Sequence, residues 1–345
     1  MNKPLHILFL GAAGGNSIKR AHALKRLGHQ VTVIDPYRLF PWRRLVGKLM
    51  YYAGAGLLER YLCLKLAGRL QSQRFDLTFV DNVELAGPRV LTALRAVSPL
   101  VVNYTNDDPF GARDKNKWRL YLAAIPHYDV LAVVRPVNVD EAYTRGARKV
   151  IQVFMAVDEL DGPRELTEAD RIRWPHAVLF IGTWMPERGP FLQALIQAGL
   201  PLAIYGNSWQ KAPEWPVLKA VWQGPAIYGD DYIKALQLAK VNLGLLSKGN
   251  RDLHTTRTFE IPYAGGLLCA ERTAEHLQLY QEDVEAVFWG GVDECIAKCG
   301  QLLQDDGRRA EIARRGRQRC LQNGIFNENL LNRILTTALA EPRRD

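Results

Sequence analysis

Leu5-His6-Ile7-Leu8-Phe9-Leu10, followed by Gly11-Ala12-Ala13-Gly14-Gly15-Asn16, opens the chain and decides its fold. The apolar run has the length of one buried strand, and the glycines end it. Ser17 stands where its hydroxyl can cap a helix running to Leu27, and Gly28 can stop that helix. Residues 30–34 then read as a second strand. Strand, glycine loop, helix and strand in that order make a βαβ unit, so a parallel sheet is expected.

Working outward, strands are predicted at 77–80, 100–104, 130–134 and 150–154, with helical stretches between them. Residues 158–176 are charged, contain Pro163 and Pro175 and lack periodicity, which marks a linker. The alternation then restarts. Strands are expected at 177–181, 202–205, 219–222, 241–246, 267–270 and 286–288, and helices at 191–198, 230–238, 292–303, 307–321 and 327–339. A chain of 345 residues suits two such units. The fold class is therefore α/β, two Rossmann-like doubly wound domains over 1–157 and 177–325, joined by 158–176. A last helix in 326–345 is expected to pack back on the first domain.

Composition narrows the function. A hydrophobic fraction of 48% with 9% aromatic residues is that of a globular protein, and no stretch approaches the roughly 20 apolar residues a bilayer span needs. The apolar run at 5–10 lacks the features of a signal peptide. Five scattered cysteines form no disulfide framework, and a cytoplasmic location is expected. The net charge of +9 is concentrated: residues 37–74 hold eight Arg or Lys and one acidic residue. Within 40–70, apolar positions at near-helical spacing are broken at Gly54 and Gly56, predicting two helices that pack on the first sheet. Trp42, Tyr51 and Tyr52 beside Arg43, Arg44 and Lys48 give the same segment a second reading, peripheral contact with an anionic membrane face. Nucleic acid is not an expected partner, because the basic segment lacks interleaved base-stacking motifs.

The most specific string is Arg257-Thr258-Phe259-Glu260-Ile261-Pro262-Tyr263-Ala264-Gly265-Gly266-Leu267-Leu268. With Phe180-Ile181-Gly182-Thr183, Pro186-Glu187-Arg188, Ile204-Tyr205-Gly206-Asn207-Ser208-Trp209 and Tyr104-Thr105-Asn106-Asp107-Asp108-Pro109, it resembles the CgeB-like, or spore-maturation-protein-like, glycosyltransferases over nearly the whole chain. That family is similar in turn to family 4 glycosyltransferases of the GT-B architecture. The resemblance implies two domains facing across a cleft, with a nucleotide-diphosphate sugar held by the C-terminal one and a hydroxyl acceptor by the N-terminal one. It further implies retention of the anomeric configuration, no metal or other cofactor, and ribose recognition by Glu260. Asp252 precedes Glu260 at the spacing of the family 4 acidic pair, with Asp in place of the usual first Glu. Where the family carries a His-Thr-Tyr-like triplet, this chain has Gly324-Ile325-Phe326.

The residue chemistry fits such a reaction. A departing nucleoside diphosphate needs positive charge and backbone N–H groups around its oxygens. Arg188 and Arg257 are the candidate guanidiniums, and Glu260 offers a carboxylate to vicinal hydroxyls. Gly182, Thr183, Tyr205, Gly206, Thr258, Gly265 and Gly266 complete the expected donor set, with Gly14 and Gly15 presenting N–H groups from the first domain. Asp107 or Asp108 is expected to take or position the acceptor proton. Bland readings stand beside these: solvated arginines, a salt-bridged Glu260, an Asp-Asp-Pro turn, glycines that only make turns, and packed thiols at Cys295 and Cys299 instead of a metal site. Asp35, at the end of the second strand, keeps a dinucleotide-binding oxidoreductase open, and a GT-B-like binding protein without turnover is the other alternative.

Overall fold

The computed structural model describes residues 3–41, 45–46 and 56–340. The chain divides into two compact units, 1–158 with 249–251 and 326–345, and 159–248 with 252–325.

The first unit is built on a parallel sheet. Its strands are β1 (His6–Gly11), β2 (Gln30–Ile34), β3 (Leu77–Asp81), β4 (Val101–Thr105), β5 (Val130–Val133) and β6 (Val150–Gln152), in spatial order β2-β1-β3-β4-β5-β6. All the pairings are parallel, with Leu8 opposite Thr32 and Thr78. Every residue of β3, β4 and β5 is buried, as expected of strands covered on both faces. The connecting helices are α1 (Gly15–Arg26), α2 (Gly56–Leu70), α3 (Pro88–Arg95), α4 (Arg119–Ala124) and α5 (Pro136–Thr144). Gly14, not Ser17, is the N-cap of α1, and no side chain caps that end. In α2, Leu58, Leu62, Leu66 and Leu70 recur at helical spacing and are buried. Of the helix pair expected in 40–70, this is the second. The segment with Trp42, Arg43, Arg44, Lys48, Tyr51 and Tyr52 lies outside the described residues.

The second unit repeats the plan with another strand order. Here β7 (Val178–Ile181), β8 (Leu202–Tyr205), β9 (Trp222–Gly224), β10 (Val241–Gly244), β11 (Leu268–Glu271) and β12 (Val287–Trp289) lie as β12-β11-β10-β7-β8-β9. In unit numbering this is the 3-2-1-4-5-6 order of dinucleotide folds, while the first unit follows 2-1-3-4-5 with a sixth strand added. Each sheet has its switch point where the order reverses, between β1 and β3 and between β7 and β10. Its helices are α6 (Glu168–Arg173), α7 (Arg188–Gln197), α8 (Trp215–Leu218), α9 (Gly229–Leu238), α10 (Arg257–Ala264), α11 (Ala274–Leu279), α12 (Val292–Gln304) and α13 (Asp306–Asn323).

Two boundaries differ from the sequence reading, and the last helix lies where it was expected. The stretch 158–176, expected as a linker, carries a 3₁₀ turn and α6, and from 159 onward it belongs to the second unit. Thr167 and Asp170 form a reciprocal capping box there, and Lys234 of α9 pairs with Asp170 at 2.9 Å, so charge builds structure instead of solvating a tether. The strand expected at 219–222 lies at Trp222–Gly224, because Pro216 occupies the first turn of α8, which runs to Leu218. The last helix, α14 (Asn327–Ala340), lies against α1 in the first unit. It buries Leu330, Leu331, Ile334 and Leu335 there, at about 1.5–3 kcal/mol each. Arg26 of α1 fastens it through Glu328 at 2.5 Å and also reaches Asp158.

Among the described residues no helix is long and apolar enough to cross a membrane.

Candidate active site

In the second unit Gly182, Thr183, Tyr205, Gly206 and Arg257 gather at the carboxyl edges of β7 and β8, whereas Gly265 and Gly266 stand at the far end of α10, before β11. Gly182 follows β7, and a Cβ there would stand 2.7 Å from the Phe180 ring and 3.2 Å from Arg257 Nη2. The absent side chain is what lets the guanidinium approach. Gly206, after β8, has φ +151°, and a Cβ on it would collide with the Gly182 carbonyl. The two strand ends are thus in close main-chain approach, and Trp209 Nε1 donates to the same Gly182 oxygen at 2.9 Å. Tyr205, buried at the end of β8, shares a hydrogen bond with His176 Nε2 at 3.2 Å. Thr183 is exposed.

Arg188 is held mainly by main-chain groups. It opens α7 but is only 3% exposed, and its guanidinium donates to main-chain carbonyls of Thr183 at 2.8 Å and of Leu245 at 3.1 Å. It clasps the loops after β7 and β10, the two strands that flank the switch point. Arg257 is the accessible cation. It is half-buried, and its Nε donates to the Ile181 carbonyl at 2.6 Å; among the described residues it has no carboxylate partner. One turn along α10, the half-buried Glu260 accepts from Tyr232 Oη at 2.7 Å. Burial and the Glu260 carboxylate push the Tyr232 phenol well above its ordinary range, so it stays a hydrogen-bond donor. Arg257 and Glu260 therefore share one helix face beside the β7 edge.

The rest of the signature string holds the helix in place. Thr258 is buried; its Oγ accepts from the Thr255 amide at 3.1 Å and lies 2.9 Å from His276 Nε2. His276 Nδ1 must donate to the Glu271 carbonyl, 2.6 Å away, so Nε2 accepts from the Thr258 hydroxyl in the neutral ring. Burial holds this imidazole down at about 4. Gly265 caps α10 at φ +95°, in the left-handed region, and a Cβ on Gly266 would stand 2.6 Å from the Leu236 carbonyl. This pair makes the tight turn between α10 and β11. Asp252 is buried and accepts from the Ser247 amide, and His254 is buried against Glu275.

In the first unit Gly14 and Gly15 are exposed at the start of α1, Gly15 in the left-handed region at φ +56°. Asp35 closes their loop: one oxygen accepts from Ala13 N at 3.0 Å and the other from Tyr37 N at 2.9 Å. The carboxylate that a dinucleotide ribose would need is thereby engaged.

The two consecutive aspartates separate. Asp108 is 2% exposed and accepts from Arg251 Nη2 at 2.8 Å, Asn138 Nδ2 at 3.0 Å and the amides of Phe110 and Gly111. Burial would raise it, but the hydrogen bonds from Arg251 and Asn138 outweigh that and hold it below the ordinary carboxylate range. This carboxylate is thus engaged on both oxygens. Asp107 is half-buried and accepts from Asn82 Nδ2 at 3.1 Å. Sequence reasoning missed Asn82, which sits just past β3 at φ +53°, a left-handed conformation that asparagine tolerates. It also missed the Arg20–Asp81 pair beneath the glycine loop, 2.9 Å long and enclosed on both sides, with the Arg20 guanidinium 4.8 Å from the Tyr104 ring centre.

Cys295 and Cys299 gain a neighbour in Cys269. Their three sulfur atoms lie within 4.8 Å of one another, buried in the apolar core of the second unit.

Residues 188–335 match a family model described as "Glycosyl transferase-like". No curated protein matches the chain. Among solved structures, it is similar to Anabaena HepE in complex with UDP-glucose, at 14% identity and a TM-score of 0.69, covering 98% of this chain and 100% of that one. Sucrose-phosphate synthase from Thermosynechococcus elongatus is similar at 10% identity and a TM-score of 0.71, with the same coverages. The structure of trehalose-6-phosphate from E. coli bound with UDP-2-fluoro glucose is similar at 12% identity and a TM-score of 0.66, covering 98% of this chain and 100% of that one. At such identities the likeness is one of fold. The chain has the α/β GT-B fold of two Rossmann-like units, with a glycosyl transferase-like match over 188–335.

Proposed function

We propose that this protein is a glycosyltransferase that takes a sugar from a nucleotide-diphosphate donor bound by the second unit. The observation that carries the reading is Arg257, a cation without a carboxylate partner among the described residues, beside Gly182 at the switch point of a 3-2-1-4-5-6 sheet. Ligands of such sheets bind at this edge, and a partly enclosed positive charge there attracts an anion. Arg257 meets the diphosphate, Glu260 takes the ribose hydroxyls, and Arg188 acts indirectly by fixing the loops after β7 and β10. Preorganised charge of this kind stabilises a leaving diphosphate without a metal, and retention is the stereochemical course we assign. The acceptor is a hydroxyl compound read onto the first unit, where Asp107 positions the reacting group.

A panel of nucleoside diphosphates tests this in a thermal-shift assay. One of them should stabilise the protein by about 2.7 kcal/mol at a hundred times its Kd. Arg257→Ala and Glu260→Ala should each abolish that shift. A protein stabilised only by dinucleotides, or equally stabilised in both variants, would overturn the reading.

A further inference from the structure

Away from the expected donor residues, the second unit brings three thiols together. Cys269 lies in β11, and Cys295 and Cys299 stand one turn apart on one face of α12, so the strand and the helix present their sulfurs to each other. All three residues are wholly buried, in a core that also holds Leu243, Val287 and Leu302. Cys299 Sγ lies 4.0 Å from Cys269 Sγ and 4.0 Å from Cys295 Sγ, and the third separation is within 4.8 Å. The centre of that triangle is therefore at most about 2.5 Å from each sulfur, close to the ~2.3 Å of a metal–thiolate bond. Among the described residues no histidine or carboxylate joins the group, and the sulfurs have one another as hydrogen-bond partners.

Three sulfurs without a fourth donor narrow the class of ligand. Structural zinc takes four protein ligands, and three thiolates around a divalent ion would leave net charge in an apolar core. A trivalent thiophilic element is satisfied by three sulfurs, and its complex with three thiolates is neutral. As(III) also arrives as arsenous acid, which is uncharged at neutral pH and so avoids the cost of carrying an ion through apolar surroundings. The substitution balances: three As–O and three S–H bonds break, three As–S bonds form, and the hydroxyl groups leave as water with the thiol protons. No electron is transferred. We infer that Cys269, Cys295 and Cys299 form a thiol triad that captures a trivalent arsenical and ties β11 to α12. The triad takes no part in sugar transfer and stands whether or not the second unit binds a nucleotide.

The full chain, reduced and kept free of oxygen, is loaded with sodium arsenite in two ways, by long incubation of the folded protein and by refolding in its presence, so that access to a buried site does not limit the result. After desalting, elemental analysis should find about one arsenic per chain, and the intact mass should rise by one arsenic less three hydrogens. X-ray absorption should show arsenic with sulfur neighbours only. Cys299→Ala should lower retention at least about tenfold, and any arsenic left should carry an oxygen neighbour; Cys295→Ser should do the same. Cys63→Ala, in α2 of the first unit, should retain arsenic like the wild type. No retention by the wild type after either loading, or retention lost in Cys63→Ala and kept in Cys299→Ala, overturns the inference. So does zinc held in equal amount in place of arsenic when both are offered together.

Discussion

Two pairs of arginines near the carboxyl edges, one pair in each unit, are held in different ways. In the first, Arg20 and Arg251 each end on a buried aspartate, Asp81 and Asp108. In the second, Arg188 and Arg257 end on main-chain carbonyls, those of Thr183, Leu245 and Ile181. An arginine facing a carboxylate is a neutral pair that braces the fold. An arginine facing carbonyl dipoles keeps its positive charge, so the same residue type at the same edge of the same kind of sheet becomes a place for an anion.

Removing one brace is the strongest way to break this contrast. Arg20→Met leaves Asp81 enclosed without its counter-charge and should destabilise the first unit by about 3–5 kcal/mol in urea unfolding. It should leave the Kd for the nucleoside diphosphate within twofold, and a parallel loss of nucleotide affinity would erase the distinction between the units.

Through His276, acid should act on the second unit. The imidazole's folded value of about 4 lies below the ordinary 6.5, so the unfolded chain takes up the proton first as pH falls. Stability is therefore full above about pH 6.5 and declines through that window, by roughly 3 kcal/mol at about pH 4. Protonation at Nε2 also ends acceptance from the Thr258 hydroxyl, which loosens the start of α10. His276→Gln should flatten this part of the stability profile measured by calorimetry; an unchanged profile would remove His276 as its cause.

The smallest effect separates the paired aspartates. Asp107→Asn should lower kcat/KM for the acceptor about ten- to a hundredfold with little change in melting temperature. Asp108→Asn should do the reverse, since its carboxylate serves Arg251 and Asn138. Equal kinetic losses in both variants would mean that the saturated carboxylate takes part after all.

Most of this fold could be read from the chain because its signals are local. Short apolar runs, the first of them ended by glycine, mark the six strands of the first sheet. The α6 helix was hidden by charge, yet Thr167 and Asp170 stand at capping-box spacing and would have disclosed it. The site was less legible because burial and pairing are properties of distant neighbours. Nothing near Arg188 in sequence foretells that the Leu245 carbonyl will receive its guanidinium, and nothing near Asp108 foretells Arg251, 143 positions away. Cys269 meets Cys295 and Cys299 only when β11 and α12 are in place.

The first unit is assembled from three separated lengths of chain: 1–158, the tripeptide 249–251 and the C-terminal 326–345. A ribosome delivers the second unit in full before it delivers α14, so the domain that begins first is completed last. Until then α1 lacks the apolar partner that Leu331 and Ile334 provide, and Asp108 waits for a guanidinium made long after it. A fragment ending at 158 should thus behave as an unfinished domain, prone to aggregate or to recruit chaperones, even though all six strands of its sheet are present.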